Sequence, residues 1–437
     1  MFKTYEEALA WIHTRRGMGP KPGIRRMEWM MEKLDHPQQK FKSIHIAGTN
    51  GKGSTVAYLT ALFQAHDYSV GSFTSPHIMR FNERISVNGQ PIADEDILAL
   101  ANRIQPLYDE IAQTELGGLT EFEVITSMMF LYFSEVQPDV VLLEVGLGGL
   151  FDSTNVVTPN LSLITTIGLD HIKILGNTIE AIAFQKAGII KKGVPVVLGN
   201  IGPAAKSVLL DIANQQHSEV AEYHVDFHAQ SKPSVDVFHE RFDYQTDDCL
   251  IEDITISLMG QHQVDNATTA LHAFRVFCRQ NEFAYDEESI KLGFERSFWP
   301  VRMEVVSHSP LTILDGAHNE PAMEALVNAL ETHFPNRRLH ILYASLTTKE
   351  LDKIGEWLNK LPQASIHLTT FDFDQVASIE ELKKGLGIEA VGEHENWQEA
   401  IQTISKAVGE QDIFLITGSL YFLSEVRHFY NKNSIKI

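Results

Sequence analysis

The sequence lacks the features that would assign it to the secreted, membrane or nucleic-acid-binding classes. It has only two cysteines in 437 residues, Cys249 and Cys278, too few for a disulfide framework, and we expect both to be reduced thiols in a cytoplasmic protein. No apolar run is long enough to span a membrane, and residues 1–7 carry acids but no apolar stretch of the signal-peptide kind. Basic residues are also scarce. The 36 lysines and arginines stand against 57 acids, and the net charge of −21 argues against a nucleic-acid partner.

The same negative charge would repel an anionic substrate, so such a substrate would need a local basic site. One candidate is the segment 15–26, which contains five cations and no acid. A solvated loop with charged edges explains this pattern equally well. Both interpretations stay open on charge alone.

Helical periodicity alternates with short β-branched apolar runs, which is typical of a mostly parallel sheet with helices on its faces. The pattern restarts after Phe298-Trp299-Pro300, which predicts a second, smaller Rossmann-like domain. Between about 220 and 258 a more polar, strand-like stretch suggests a small antiparallel excursion. The predicted strands are 43–47, 70–73, 140–145, 161–167, 194–198, 311–314, 339–344, 365–370 and 413–416, and the predicted helices include 94–111, 121–135, 178–188 and 263–279.

The run Gly48-Thr49-Asn50-Gly51-Lys52-Gly53-Ser54 follows the first predicted strand and precedes a helical pattern. Backbone N–H groups at a helix N-terminus face an anion, a lysine adds a point charge, and a hydroxyl can hold Mg²⁺. The usual P-loop spacing is not met, because Gly53 separates Lys52 from Ser54. The run therefore predicts a variant phosphate-binding loop.

Polar clusters follow several other predicted strands, at the ends where parallel sheets bind ligands. Ser75 could supply a hydroxyl to Mg²⁺, although Ser-Pro is more often only a turn. Glu144 at the end of a buried strand suits a hard cation. His171, beside Asp170, is a candidate metal ligand, although a lone histidine is usually structural.

Two further clusters are open to more than one interpretation. Lys186, in the run 185–192, would by sequence alone belong to an exposed helix C-terminus whose lysines complement the dipole. Asp315 and His318 lie in the run 315–319 and could face a ligand, while Asn319 could cap the helix that follows.

Taken together and in this order, these motifs resemble the folylpolyglutamate synthase / dihydrofolate synthase family of the Mur ligase superfamily. The resemblance covers nearly the whole chain. The matching pieces lie at 48–54, 75–77, 81–85, 120–123, 144–149, 152, 154–156, 169–171, 186–190, 260, 262–263, 266–267, 302, 304, 315–319 and 417–420.

The resemblance implies an α/β protein with a P-loop ATPase domain and a smaller C-terminal Rossmann-like domain. Residues 1–298 would form the ATP-binding domain with the folate site, and residues 299–437 the glutamate-ligase domain. Such enzymes join L-glutamate to the γ-carboxylate of tetrahydrofolate or folylpolyglutamate, using ATP and an acyl-phosphate intermediate. The carboxylate is a poor electrophile and repels the γ-phosphate, so Mg²⁺ and lysine must neutralise charge.

The resemblance also assigns roles to individual residues. Lys52, Lys186 and His318 would be catalytic, with Lys186 carried as a carbamate. Two Mg²⁺ sites are implied, one at Ser75 and Glu144 and one at His171. The ATP contacts would be Asn50, Gly51, Lys52, Gly53, Ser54, Asn266, Arg302 and Asp315, and the substrate contacts would be Arg84, Asp315, His318 and Ser419, with the loop 17–26 near the folate.

The chain departs from the family pattern at three positions: Leu150 replaces an arginine, Gln185 a glutamate and Val301 a glycine. Because no implied ligand is lost, we expect an enzyme rather than a non-catalytic ATP-binding regulatory homologue. Incorporation of glutamate into tetrahydrofolate would distinguish the two. Only 47 residues precede Gly48, too few for the sugar-nucleotide domain of a peptidoglycan Mur ligase. Whether the enzyme also makes dihydrofolate from dihydropteroate stays open. A monomer is expected.

Overall fold

The computed structural model describes residues 1–15, 23–234, 236–361 and 363–432. The chain divides into two compact units. Unit 1 comprises Met1–Gln230, Asp243–Ile254 and Asp265–Arg296, and unit 2 comprises Ser231–Phe242, Thr255–Val264 and Ser297–Ile437. The assignment of 1–298 and 299–437 as two functional domains stays a prediction.

The α/β class is confirmed, and helices and strands alternate through most of the chain. The strands are β1 Ser43–Ala47, β2 Val70–Phe73, β3 Ile85–Val87, β4 Gln90–Pro91, β5 Val140–Glu144, β6 Leu161–Ile164, β7 Val196–Leu198, β8 Val220–Glu222, β9 Phe227–Lys232, β10 Glu240–Thr246, β11 Leu250–Ile256, β12 Glu304–His308, β13 Leu311–Asp315, β14 Leu339–Ala344, β15 Ala364–Thr369, β16 Gly392–His394 and β17 Ile413–Gly418. The helices are α1 Tyr5–His13, α2 Arg25–Lys33, α3 Lys52–Ala65, α4 Asp94–Ile111, α5 Glu121–Val136, α6 Ile172–Leu175, α7 Ile179–Ala187, α8 Pro203–Gln215, α9 Gln261–Asn281, α10 Glu287–Arg296, α11 Glu320–His333, α12 Leu351–Leu358, α13 Ile379–Leu386, α14 Trp397–Ala407 and α15 Leu420–Lys432, with 3₁₀ turns at Pro37–Gln39, Phe81–Arg84 and Ser153–Val156.

Unit 1 contains an eight-stranded sheet in the order β4-β3-β2-β5-β1-β6-β7-β8. Its strands pair in parallel except where β3 meets β2 and β4. Strand β1 is buried along its whole length, as expected for a central strand covered on both faces. Its pairing sets Ile46 opposite Glu144, so the carboxyl ends of β1 and β5 lie side by side.

The predicted strand 161–167 is wrong at its end, because β6 stops at Ile164. The next two residues, Thr165 and Thr166, turn their hydroxyls to the backbone of Asn50. Backbone hydrogen bonds also continue here, from the Thr165 N–H to the Ala47 carbonyl and from the Thr49 N–H to the Thr166 carbonyl. The side-chain contacts to Asn50 are ones that no periodicity in the sequence signals.

Unit 2 contains a six-stranded sheet in the order β12-β13-β17-β14-β15-β16. All its pairs are parallel except β12–β13, which confirms the predicted Rossmann-like pattern. Asp315 pairs with Thr417 across β13 and β17, so Asp315 and Ser419 lie near the carboxyl ends of adjacent strands.

The polar stretch before unit 2's main sheet forms a separate three-stranded sheet in the order β11-β10-β9. Its strands fall within the 220–258 segment in which the sequence predicted extra strands. Among the described residues, no helix combines the length and the apolar composition needed to cross a membrane.

Candidate active site

The loop between β1 and α3 is held in a conformation that requires glycine at two positions. Gly51 has φ +83°, a left-handed conformation that costs other residues about 1–2 kcal/mol. A Cβ on Gly51 would also lie 2.3 Å from Asn266 Oδ1, and one on Gly48 would lie 1.9 Å from Thr165 Oγ1. The structure therefore packs the predicted ATP residues Gly51 and Asn266 directly together in unit 1.

The N-terminus of α3 follows this loop at once. Helix α3 begins at Lys52 with Gly51 as its N-cap, so Gly53 and Ser54 occupy its first turn. Backbone N–H groups in a first turn have no partner inside the helix and carry the positive end of the helix dipole. The geometry suits an anion, as the sequence predicts.

Two lysines converge on one backbone oxygen of the loop. Lys52 Nζ donates to the Gly48 carbonyl at 2.9 Å and to the Thr49 carbonyl at 3.2 Å. Lys186 Nζ donates to the same Gly48 carbonyl at 2.8 Å. The side chains of both predicted catalytic lysines of unit 1 thus meet at the phosphate-binding loop.

Lys186 lies on α7, but it is only 4% exposed, so the interpretation of this segment as an exposed helix end is wrong for Lys186. Burial, together with the charge of Lys52, lowers the pKa of Lys186 to about 7, against smaller opposing effects of Asp170 and Asp152. A lysine whose pKa lies near 7 is a candidate nucleophile or modification site.

Close backbone packing explains why Lys186 is buried. A Cβ on Gly149 would lie 2.7 Å from the Gln185 carbonyl oxygen, and one on Gly188 would lie 2.3 Å from Leu150 Cα. The Leu150 N–H donates to the Gln185 carbonyl at 2.7 Å. The glycines therefore let the loop after β5 cover the end of α7. Leu150 and Gln185, two of the departures from the family pattern, make this contact through their backbones.

Ser75 and Glu144 meet at the carboxyl ends of the neighbouring parallel strands β2 and β5. The Ser75 N–H donates to Glu144 Oε2 at 2.9 Å, and Glu144 is buried. A buried carboxylate beside a hydroxyl residue is a donor set of the hard oxygen type that Mg²⁺ prefers. These two residues therefore fit the predicted metal site.

His171 is placed differently. It has φ +50° and precedes α6, its side chain is about half exposed, and its Nε2 lies 3.9 Å from Asp170 Oδ1. Within the described ranges, no three or more His, Cys, Asp and Glu side chains are grouped so as to hold a metal ion. The role of His171 as a second Mg²⁺ ligand stays a prediction.

A buried hydrogen-bond network contacts the loop that follows β5 and includes residues to which the sequence gave no role. Asp152 accepts the Leu147 N–H at 2.8 Å and the Thr154 hydroxyl at 2.5 Å. Since that hydroxyl proton is used, Thr154 Oγ1 accepts from His45 Nε2–H at 2.8 Å. Burial raises the pKa of Asp152 and lowers that of His45 to about 3. The signal for this network in the sequence was the family resemblance at 152 and 154–156, which assigned no role to these residues.

The predicted folate contacts are only partly described, because residues 16–22 of the basic segment lie outside the described residues. Arg84 Nε donates to His77 Nδ1 at 3.1 Å. The Arg15 guanidinium carbon lies 4.1 and 4.0 Å from the ring centroids of Trp11 and Tyr108, and Arg26 pairs with Glu123 at 2.8 Å. Arg15 and Arg26 are thus held by contacts within unit 1, whereas the Arg25 side chain is 74% exposed, so the two interpretations of this segment both stay open.

In unit 2, Asp315 is a buried carboxylate fixed by two backbone donors. Its Oδ2 accepts from the Met303 N–H and its Oδ1 from the Ala317 N–H, each at 2.9 Å. Burial raises the pKa of Asp315, and the charge of Arg302 opposes this. The Arg302 guanidinium donates to the Val301 carbonyl at 2.9 Å.

The third departure from the family pattern, Val301, lies at a position where the backbone conformation favours glycine. Val301 is fully buried and has φ +52°, where a β-branched residue is a genuine outlier. Glycine adopts this conformation without steric cost. The glycine of the family pattern is therefore explained by the left-handed backbone at this position. In this chain a valine adopts the same backbone conformation with strain.

The remaining predicted residues of unit 2 lie around the start of α11 and the end of β17. Asn319 caps α11 by accepting the Ala322 N–H at 3.0 Å, which confirms the predicted cap. His318 Nδ1 donates to the Gly316 carbonyl at 2.8 Å. The Ser419 N–H donates to the Ala344 carbonyl at 2.9 Å.

Comparison with known proteins agrees with this architecture. Residues 46–274 match the Mur ligase middle domain, and residues 301–420 match the Mur ligase, glutamate ligase domain. The chain is 42% identical to the dihydrofolate synthase/folylpolyglutamate synthase of Bacillus subtilis, over 98% of this chain and 99% of that protein. It is 35% identical to the folylpolyglutamate synthase of Lacticaseibacillus casei, over 97% and 98% of the two chains.

Solved structures show the same relationship. The Mycobacterium tuberculosis folylpolyglutamate synthase complexed with ADP has a TM-score of 0.90 and 29% identity, over 98% of each chain. A structure described as an FPGS–AMPPCP–folate complex has a TM-score of 0.84 and 34% identity, over 98% of this chain and 99% of the other.

The phosphate-binding loop of unit 1, the Rossmann-like unit 2 and the two domain matches define a Mur ligase. Within that class, the chain belongs to the folylpolyglutamate synthase / dihydrofolate synthase family.

Proposed function

We propose that this chain ligates L-glutamate to the γ-carboxylate of tetrahydrofolate or folylpolyglutamate, with conversion of ATP to ADP and phosphate. The observation that carries the proposal is the convergence of Lys52 and Lys186 on the Gly48 carbonyl of the phosphate-binding loop. It occurs in a chain whose relatives, matched over nearly their whole length, are named for this ligation. Their naming as synthases also favours an enzyme over a regulatory homologue.

The chemistry requires two transfers. A folate carboxylate oxygen attacks the γ-phosphorus of ATP, and ADP leaves. The glutamate amine then attacks the acyl carbon, loses a proton, and expels phosphate. Lys52 and the first-turn N–H groups of α3, including those of Gly53 and Ser54, would stabilise the charge on the transferring phosphoryl group. Asn50, Gly51 and Asn266 would complete the nucleotide contacts of unit 1.

Two Mg²⁺ sites belong to the proposal, one at Ser75 and Glu144 and one at His171. Ser75, Glu144 and His171 would hold Mg²⁺, which would neutralise phosphate charge and polarise the phosphoryl oxygens so that the γ-phosphorus is more electrophilic. The buried Glu144 carboxylate beside Ser75 supports the first site. Glu144 would be held in place for this task by the parallel pairing of β2 and β5.

Lys186 would carry a carbamate. A pKa of about 7 leaves a substantial share of the amine neutral at neutral pH, and only the neutral amine adds to CO₂. Carbamylation would replace a buried cation with an anion beside Lys52, which gives Lys52 a partner of opposite charge.

Unit 2 would supply the other contacts. Arg302 and Asp315 would contact the nucleotide, with Asp315 also near substrate, and His318 and Ser419 would contact the incoming glutamate. Because His318 donates through Nδ1, its Nε2 is the nitrogen that could accept a proton from the glutamate ammonium. Arg84 of unit 1 would contact the folate. The proposal also includes a monomeric state and a cytoplasmic location, and the two free thiols support the location.

The test is incorporation of radiolabelled glutamate into tetrahydrofolate by the purified chain with ATP and Mg²⁺. We expect labelled product with equal amounts of ADP and phosphate. Lys52→Met should lower turnover on the order of 10²-fold, whereas the exposed Lys192→Met should not. ATP binding without glutamate incorporation would refute the ligase function.

A parallel incubation with dihydropteroate examines the second activity. Some relatives are named for both activities and others only for polyglutamylation. Folate glutamylation is the activity that these names share, so we propose it alone. Labelled dihydrofolate in the parallel reaction would extend the proposal.

A further inference from the structure

We infer that Thr165 and Thr166 are positioning residues of the phosphate-binding loop, which hold the backbone of Asn50 in the conformation that binds nucleotide. The inference rests on the proposed function of that loop. Neither threonine belongs to a nucleotide-binding motif in the sequence, and both follow directly after β6 in unit 1.

The contacts between these residues and the loop are dense. Thr166 Oγ1 accepts the Asn50 N–H and donates to the Asn50 carbonyl, both at 3.0 Å. Thr165 Oγ1 donates to the same carbonyl at 2.6 Å. The Thr49 N–H donates to the Thr166 carbonyl at 2.8 Å, and Thr49 Oγ1 exchanges hydrogen bonds with the backbone of Gly168 at 3.0 and 3.1 Å. We call residues 165–168 the threonine clamp.

The clamp decides which loop amides can reach a phosphate. The N–H groups of Thr49 and Asn50 are turned to the clamp. The next N–H groups along the chain, at the start of α3, lie in the positions where helices bind anions. The clamp thus orients the N-terminus of α3 toward the phosphate and does not itself contact the phosphate.

A glycine-rich loop needs such a device. Gly48, Gly51 and Gly53 lose more backbone entropy on ordering than other residues would, and that loss weakens ligand binding unless the loop is ordered beforehand. Thr165 packs closely against Gly48, because a Cβ on Gly48 would lie only 1.9 Å from Thr165 Oγ1. Gly48 also carries the carbonyl to which Lys52 and Lys186 donate.

The experiment compares Thr166→Val, Thr165→Val and Thr166→Ser with a matched control, Thr126→Val. Thr126 is fully buried on α5, and its hydroxyl donates to the Phe122 carbonyl at 2.6 Å, so the control removes a threonine hydroxyl hydrogen bond from a different element. The readouts are ADP·Mg²⁺ affinity by calorimetry, KM for ATP and for tetrahydrofolate, and amide hydrogen exchange without nucleotide at Thr49 and Asn50, whose N–H groups donate to the clamp.

We expect Thr166→Val to weaken ADP binding and raise the KM for ATP by roughly 10-fold, the effect of leaving the partly buried Asn50 N–H without its partner. The KM for tetrahydrofolate should stay unchanged, and amide exchange should accelerate at Asn50 and also at Thr49, whose backbone partner, the Thr166 carbonyl, is kept by the substitution. Thr165→Val should act in the same direction, and Thr166→Ser, which keeps the hydroxyl, should restore wild-type values.

Wild-type ADP affinity and loop exchange in a folded Thr166→Val protein would overturn the inference. So would an equal loss of ADP affinity in Thr126→Val, because the effect would then be general destabilisation. A wild-type chain that binds ADP but makes no folylglutamate would refute the ligase function, while the clamp would still be judged by the binding and exchange measurements.

Discussion

Replacing Lys186 by Met should change the pH dependence of stability in a direction that burial of the amine dictates. Lys186 is 4% exposed, and its only described neutral partner is the Gly48 carbonyl at 2.8 Å. Methionine keeps most of the side-chain length and removes the titrating group. Any pH-dependent difference between the two proteins then reports the amine itself.

The sign follows from proton binding. The pKa of Lys186 is lowered from 10.5 to about 7 by burial and by the charge of Lys52. Below pH 7 both folded and unfolded states carry the proton, and the folded state bears the full cost of a buried charge. Between pH 7 and 10.5 the unfolded state binds more protons, so stability of the wild type rises with pH.

The magnitude follows from the same values. The slope approaches 1.4 kcal/mol per pH unit, and the difference of about 3.5 between the two pKa values corresponds to about 5 kcal/mol in total. The Met variant lacks this term. Relative to the wild type, it should therefore be most stable at low pH and lose that advantage as the pH rises to 10.

The assay is urea unfolding of wild type, Lys186→Met and the exposed control Lys192→Met at pH 6, 7.5 and 9, in buffers free of CO₂. The same proteins in ¹³C-bicarbonate should show a carbamate carbon signal that is absent only in Lys186→Met. A stability difference that does not change with pH would refute the argument, because it would mean that the amine stays charged throughout this range.

Three further predictions concern other parts of the chain. Val301→Gly should be at least as stable as Val301→Ala in urea unfolding, because the left-handed backbone costs Ala about 1–2 kcal/mol; the usual Ala-over-Gly order would contradict the strain. The hydrogen bond to Glu240 at 2.6 Å raises the pKa of His333, so its stabilisation should be complete below the unfolded pKa of about 6.5 and decline as pH rises through the folded value; His333→Gln should remove that slope in melting curves. Burial raises the pKa of the Cys278 thiol to about 12, so a thiol reagent should modify only Cys249 in the native protein and both cysteines in urea, and fast native modification of Cys278 would contradict its burial.

Several elements were predictable from the sequence because local forces decide them. The strand 43–47 and the helix 94–111 match β1 and α4 at both ends, since short apolar runs and helical periodicity reflect forces that act within a few residues. Asn319 was predictable as a cap for the same reason, because a cap bonds to an N–H only three residues away.

The misjudged features depend on contacts between distant parts of the chain. From its own segment, Lys186 reads as an exposed helix end, because the loop that covers it comes from residues 149–150. Likewise the end of β6 was placed three residues too late, and the next residues, Thr165 and Thr166, bond through their hydroxyls to Asn50, more than 100 residues earlier. No local pattern encodes such a pairing.

The sequence by itself determined the α/β class, the variant phosphate-binding loop and the order of the motifs, because these depend on periodicity and on residue types that backbone geometry requires locally. Only the tertiary structure decided that two lysines share the Gly48 carbonyl, that Asp152 is buried against the loop that follows β5, and that Val301 is strained. Those properties arise from desolvation and from close packing between remote segments, which exist only once the chain has folded.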